Sequence, residues 1–185
     1  FHKRPMKALM DDKITIIPMG VPVYESNSSK EIIRNKYGYS IDDILLTTTG
    51  FMFTWKQHSD ILHRLAPLIK SNPLIKIQLL TAMNSVNPTE CLMEKTNIEN
   101  VINSNGINSQ VQHITSFLPQ EELSERLWMS DVGYLWSGIT TTSSSAAGKE
   151  FITARLPLVA TNSSHYHDLV DGVVMKVDKK KYQDI

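Results

Sequence analysis

The sequence is almost without cysteine, carries no excess charge of either sign and contains no long apolar run. Each absence closes off a class of function. Cys91 is the single cysteine, which excludes an intrachain disulfide and a cysteine-based zinc site. The 19 basic side chains are matched by 19 acidic ones, which argues against a nucleic-acid binder, since phosphate contacts call for a basic face. The one dense cationic run, residues 179–181, reads as a solvated chain end. No stretch approaches the roughly 20 apolar residues that a membrane-spanning helix requires, and nothing reads as a signal peptide. The acidic pairs Asp11-Asp12 and Asp42-Asp43 are adjacent, so neither forms an Asp-x-Asp metal-donor motif. Met19-Gly20-Val21-Pro22 lacks the Gly-x-Gly-x-x-Gly turn that a dinucleotide-dependent oxidoreductase would need after its first strand.

What remains is an ordinary globular composition, with 41% hydrophobic and 21% charged residues, in a chain long enough for one substantial core. The chain opens on Phe1-His-Lys-Arg and stops at Asp184-Ile185, and it reads as an excised piece of a longer protein. Short β-branched runs alternate with amphipathic stretches. Strands are expected at 14–18, 43–49, 75–80, 110–114, 132–136, 156–160 and 173–177. Helices are expected at 29–37, 57–70, 89–102, 119–128 and 147–154. In the first helix, Ile32 and Ile33 are backed by Lys30, Arg34 and Lys36. Alternation of this kind predicts an α/β, doubly wound, Rossmann-like parallel sheet with helices on both faces. Ligands of such a sheet sit beyond the carboxyl ends of the strands, which places residues 50–56, 115–118, 137–148 and 161–167 along one edge.

Residues 143–162, SSSAAGKEFITARLPLVATN, are the most informative of these. Serines and small residues running into a helix offer free backbone N–H groups, hydroxyls and the positive end of a helix dipole, a combination suited to phosphate. Glu150, one turn further in, would repel phosphate but could accept hydrogen bonds from ribose hydroxyls. The segment reads as a nucleoside-diphosphate site. Gly50, at a strand end, lets a ligand approach the backbone, and Lys56 could neutralise a phosphate. His165 and His167 lack a third ligand nearby, so no metal site is expected. Trp55, Trp128 and Trp136 read as core or loop-anchoring residues.

Taken in order, these pieces resemble the C-terminal half of a glycosyltransferase of the two-domain B fold, in the large family that includes sucrose and glycogen synthases. Ile16-Ile-Pro-Met-Gly20-Val-Pro is similar to that family's IPNGV turn. Residues 45–50 followed by Lys56 match its glycine-to-lysine spacing, and 114–123 resemble the loop and helix start beside the base. Ser130-Asp131-Val132 resembles its ADV strand start. Glu150-Phe-Ile-Thr-Ala-Arg-Leu-Pro157-Leu-Val-Ala-Thr161 resembles EAMACGLPVVAT, and Asp168-Leu-Val-Asp-Gly172 the turn that follows. Three positions depart from the pattern: Thr142 replaces a first glutamate, Phe51 an arginine and Arg155 a glycine.

The resemblance implies that residues 1–185 are a nucleotide-sugar-binding domain whose acceptor domain lies outside this chain. It implies diphosphate contacts from Gly50, Lys56, Ser144, Ser145, Ala146 and Ala147, ribose contacts from Glu150, and a base loop at Phe117 and Leu118. No metal and no cofactor are expected beyond the sugar donor as substrate, and catalytic residues are expected in the missing domain. The implied acceptor is a glycan, a lipid-linked sugar or a small molecule, in glycan or polysaccharide biosynthesis. The implied location is cytoplasmic, with attachment at the membrane's cytoplasmic face as one arrangement. The alternative is a non-catalytic module of the same fold serving assembly or regulation.

Overall fold

The computed structural model describes residues 28–138, 145–167 and 172–178, together with Gly20, Ser26 and Leu169. The expected strand at 14–18, Ser144, Thr142 and Asp168 lie outside the described residues. Six strands form one all-parallel sheet: β1 (Ile44–Phe51), β2 (Ile75–Ala82), β3 (Val111–Ile114), β4 (Val132–Leu135), β5 (Leu158–Thr161) and β6 (Val174–Val177). Their order is β3-β2-β1-β4-β5-β6. The chain therefore reverses direction across the sheet between β1 and β4, the switch point at which doubly wound folds open a crevice.

The helices are α1 (Lys30–Lys36), α2 (His58–Ser71), α3 (Pro88–Asn105), α4 (Gln120–Trp128) and α5 (Ala146–Thr153). Side-chain alternation along β2 divides them between the two faces. Ile75, Ile77 and Leu79 join Leu62, Ala66 and Ile69 of α2 and Ile98 and Ile102 of α3 in one core. Leu80 belongs to the other core, with Leu127 of α4 and Phe151 of α5. Gly133 of β4 makes that second packing possible, because a Cβ there would overlap the Phe151 ring.

A hydrogen-bond network also accounts for Thr47, one of three threonines in the middle of a buried strand. Thr47, Thr48 and Thr49 are all buried. Thr47 shares a 2.7 Å hydrogen bond with Ser130 and accepts one from the Gln78 amide at 3.1 Å. Gln78 in turn accepts from Arg126 of α4 at 2.8 Å. A polar layer thus stitches β1 and β2 to α4, each member satisfied by the next.

Two sequence expectations are revised. β1 does not end before Gly50 but continues to Phe51, with Gly50 at φ +130° inside the strand. In α1, Ile33 and Arg34 are buried at 1% and 2% exposure while Ile32 is 62% exposed. The cause is the arginine, which finds carbonyls beneath the helix and rotates Ile32 outward.

Candidate functional site

A cleft of about 240 Å³ opens at the carboxyl ends of β1 and β2, on the face covered by α4 and α5. Thr49 and Phe51 reach it from β1, and Leu80 and Ala82 from β2, as period-2 alternation requires. The loop after β3 contributes Ser116, Phe117 and Leu118, while α5 contributes Ala146, Ala147 and Glu150. Residues far apart in sequence are gathered here by topology: Gly50, Phe117, Leu118, Ala146, Ala147 and Glu150 line one cavity.

Each predicted residue has a local cause for its position. Ser145 is buried and caps α5, its Oγ accepting from the Gly148 N–H at 3.1 Å. The N–H groups of Ala146 and Ala147, in the first turn, have no intrahelical partner and accept no other use among the described residues. Glu150 is half-buried, and burial pushes its carboxyl above the ordinary value. The Gln120 amide, 3.4 Å from its Oε2, opposes that shift. Phe117 is 78% exposed at the rim.

Lys56 follows a short 3-10 turn, Thr54–Lys56, after β1. Its ammonium lies against Gly50, where any Cβ would collide with it, so a side chain at position 50 would displace the lysine. Lys56 makes no ion pair among the described residues, and burial lowers its pKa to about 8. Acids from α3 already occupy the start of α2 and the start of the Thr54–Lys56 turn. The Ser59 N–H donates to Glu94 at 2.8 Å, and the Thr54 N–H donates to Glu90 at 2.8 Å. The first turn of α2 is therefore already engaged, and Lys56 is the one cationic side chain of the 50–56 loop.

Sequence reading missed Thr49, Leu80 and Ala82 as lining residues; they lie inside strands and carry no local signal. Phe51, Gln120 and Leu123 fall in segments that the sequence already places at this edge, 50–56 and 114–123. His58, the first residue of α2, was also missed; it is 2% exposed, and among the described residues neither ring nitrogen makes a hydrogen bond of good geometry. The two histidines of the β5 loop do not act together: His165 packs edge-on to Trp55 at 5.3 Å, while His167 Nδ1 lies 2.6 Å from the Ser164 carbonyl.

An all-parallel sheet in this order, with helices on both faces and a cleft at its carboxyl edge, is the fold of one half of a two-domain B-fold glycosyltransferase. Among solved structures, the chain superposes on the Anabaena Alr3699/HepE protein in complex with UDP-glucose, with TM-score 0.67 and 14% identity over 85% of this chain and 41% of that one. It is similar to a glycosyltransferase from Rickettsia africae ESF-5, with TM-score 0.66 and 15% identity over 82% and 38%. WaaG, a glycosyltransferase involved in lipopolysaccharide biosynthesis, gives TM-score 0.63 and 21% identity over 84% and 39%. The chain thus spans about two-fifths of the length of these structures, and at these identities the likeness defines the fold. Comparison of sequence finds no matching family model and no matching curated protein.

Proposed function

We propose that residues 1–185 are the donor-binding domain of a glycosyltransferase that uses a nucleoside-diphosphate sugar. The observation that carries this reading is that the first turn of α5 and the Glu150 carboxylate line one cleft with Gly50, and that the Lys56 ammonium, without an ion pair among the described residues, lies against that glycine. That the Anabaena structure of the same fold holds UDP-glucose supports it. The diphosphate would lie between Gly50 and the start of α5, with Lys56 and the amides of Ala146 and Ala147 as donors. Ser145 would keep its hydroxyl proton to donate while its oxygen caps the helix, and Ser144 would precede it. Glu150 would take the ribose hydroxyls. The loop at Phe117 and Leu118 would take the base.

As the glycosidic bond to the diphosphate breaks, negative charge grows on the leaving phosphate. Donors already in place stabilise that charge more than they stabilise the bound donor. Lys56 and the helix start meet the charge without a metal or cofactor. Acceptor binding and any catalytic base belong to a second domain, so this chain alone binds nucleotide and transfers no sugar. The proposed setting is glycan or polysaccharide biosynthesis, with a glycan, lipid-linked or small-molecule acceptor, in the cytoplasm or at the cytoplasmic face of a membrane. Among the described residues, no helix is long and apolar enough to cross one. A second reading, a binding module without transfer activity, is favoured by Phe51, which stands in the cleft where the family pattern has an arginine.

Titration calorimetry with uridine, guanosine, thymidine and adenosine diphosphates tests the site. Glu150→Ala and Lys56→Ala are each expected to weaken binding about tenfold or more, the worth of a charge-assisted hydrogen bond. Because Lys56 must be charged, affinity is expected to hold at neutral pH and fall as pH rises through about 8. Binding that neither substitution weakens would sink the assignment. Transfer in the whole protein, assayed with a donor and acceptor, separates enzyme from module.

A further inference from the structure

Lys56 poses a problem that the donor-site reading leaves open. A desolvated ammonium is normally held by a carboxylate, yet the nearby acids are engaged elsewhere. Glu90 accepts from Thr54 and Asn87, and Glu94 accepts from Ser59. His58, which feels the Lys56 charge, is buried and neutral, its pKa lowered to about 3 by burial first and by the lysine second. A carboxylate partner would in any case compete with an incoming phosphate.

We infer that Trp55 is a positioning residue whose indole face holds the Lys56 ammonium over Gly50, in place of an acid. This rests on the reading of Lys56 as a phosphate donor. The Lys56 Nζ lies 5.5 Å from the Trp55 ring centroid, within the range of a cation–π attraction, which supplies about 0.5–2 kcal/mol without adding a negative charge. The indole is itself held by two rings and the Trp55 backbone by a hydrogen bond. Phe53 stacks on it at 5.8 Å and 14° between planes. His165, from the loop after β5, meets it edge-on at 5.3 Å and 81°. The Trp55 carbonyl accepts from the Gly138 N–H, in the loop after β4, at 2.7 Å. Three loops of the sheet edge therefore converge on the residue that carries the lysine. Trp55 anchors the loop, and through its ring it also aims and charges Lys56.

The test titrates inorganic pyrophosphate into the 185-residue chain across the neutral and alkaline range, for the unmodified protein and for Trp55→Leu, Trp55→Phe, Lys56→Ala and the Trp55→Leu/Lys56→Ala pair. Thermal melting checks that each variant folds. Trp55→Leu is expected to weaken binding about 3-fold to 30-fold and to move the alkaline loss of affinity to lower pH, because the aromatic face favours the charged lysine. Trp55→Phe, with a smaller π face, moves that limb part of the way and decides the question if the leucine variant does not fold. In the Lys56→Ala background, Trp55→Leu is expected to have no further effect. An unmoved alkaline limb in the folded Trp55 variants, or an undiminished effect in the Lys56→Ala background, leaves Trp55 a loop anchor only and overturns the inference. If Lys56→Ala binds pyrophosphate as tightly as the unmodified chain, the donor-site reading of Lys56 falls first, and this inference with it.

Discussion

Arg34 keeps its charge at 2% exposure because five acceptors surround its guanidinium: the carbonyls of Met129, Ser40, Ile41 and Asp43, and the Asp131 carboxylate at 2.6 Å. Asp131 also accepts from Lys30 at 2.6 Å and from the Leu45 N–H at 2.8 Å. Burial works against its charged form, but Lys30, the Leu45 N–H and Arg34 together outweigh it and hold the carboxyl below its ordinary value. The pair ties α1 to the first residues of β1 and β4, at the end of the sheet remote from the cleft. Arg34→Leu is expected to cost about 1–3 kcal/mol in urea unfolding, since it leaves the buried Met129 carbonyl without its donor and removes one of the two cations paired with Asp131. A near-neutral result would mean that the arginine contributes specificity without stability. Legibility at this scale was uneven. Asp131 stood out by resemblance, whereas Arg34 looked like a solvated helix residue, because no side-chain pattern reveals backbone carbonyls turned towards it, whether from the loop just after the helix or from Met129, 95 residues away.

The element scale was the most legible in sequence. Each described helix and strand was expected, with ends displaced by one to three residues where caps lay just outside the apolar pattern. Ser29 caps α1, accepting from the Ile32 N–H at 3.3 Å, and Asn87 caps α3, accepting from Glu90. α2 departs from local preference, since Pro67 sits inside it on the exposed side. A proline there leaves the carbonyl four residues earlier without its donor and crowds the preceding turn. The helix survives because Leu62, Ala66 and Ile69 are fully buried on its other face. Pro67→Ala is therefore expected to raise stability by about 1–3 kcal/mol, read as a higher melting temperature with nucleotide binding unchanged. An unchanged or lower melting temperature would show that the proline's restriction of the unfolded chain offsets its cost in the helix.

Across the whole molecule, the buried His58 and the half-buried His113, on the α2–α3 side of the sheet, set an acid limit. His58 has its pKa lowered to about 3, by burial first and by Lys56 second. His113 is lowered to about 4, chiefly by burial, with Glu99 opposing and Lys95 assisting; its Nε2 shares a 2.8 Å hydrogen bond with Thr81. Both ordinarily titrate near 6.5, so on acidification the unfolded chain takes up protons before the folded one does. The stability is complete above about 6.5 and is lost as pH falls towards about 4, because protonation then favours unfolding. Denaturant midpoints are expected to decline through that window. His58→Leu, which replaces the buried ring by an apolar side chain, is expected to flatten the decline. An equally steep decline in that variant would assign the acid loss to His113 or to the carboxylates.

The sequence alone determined the alternation of strand and helix, the doubly wound sheet and the residues at its carboxyl edge. Those features follow from periodicity, capping and the direction of parallel strands, all of which act over a few residues. It also marked Gly50, Lys56, Ser145 and Glu150, because small residues and lone charges at element ends are locally visible. Only the tertiary structure decided which of these meet in one cleft, and that Phe51, Leu80 and Gln120 complete it. Only the structure, too, placed Glu94 on the start of α2 and Glu90 on the turn before it, and set an aromatic ring beside the lysine. These are relations between side chains on different elements, set by strand order and packing, and no periodicity within one segment encodes them.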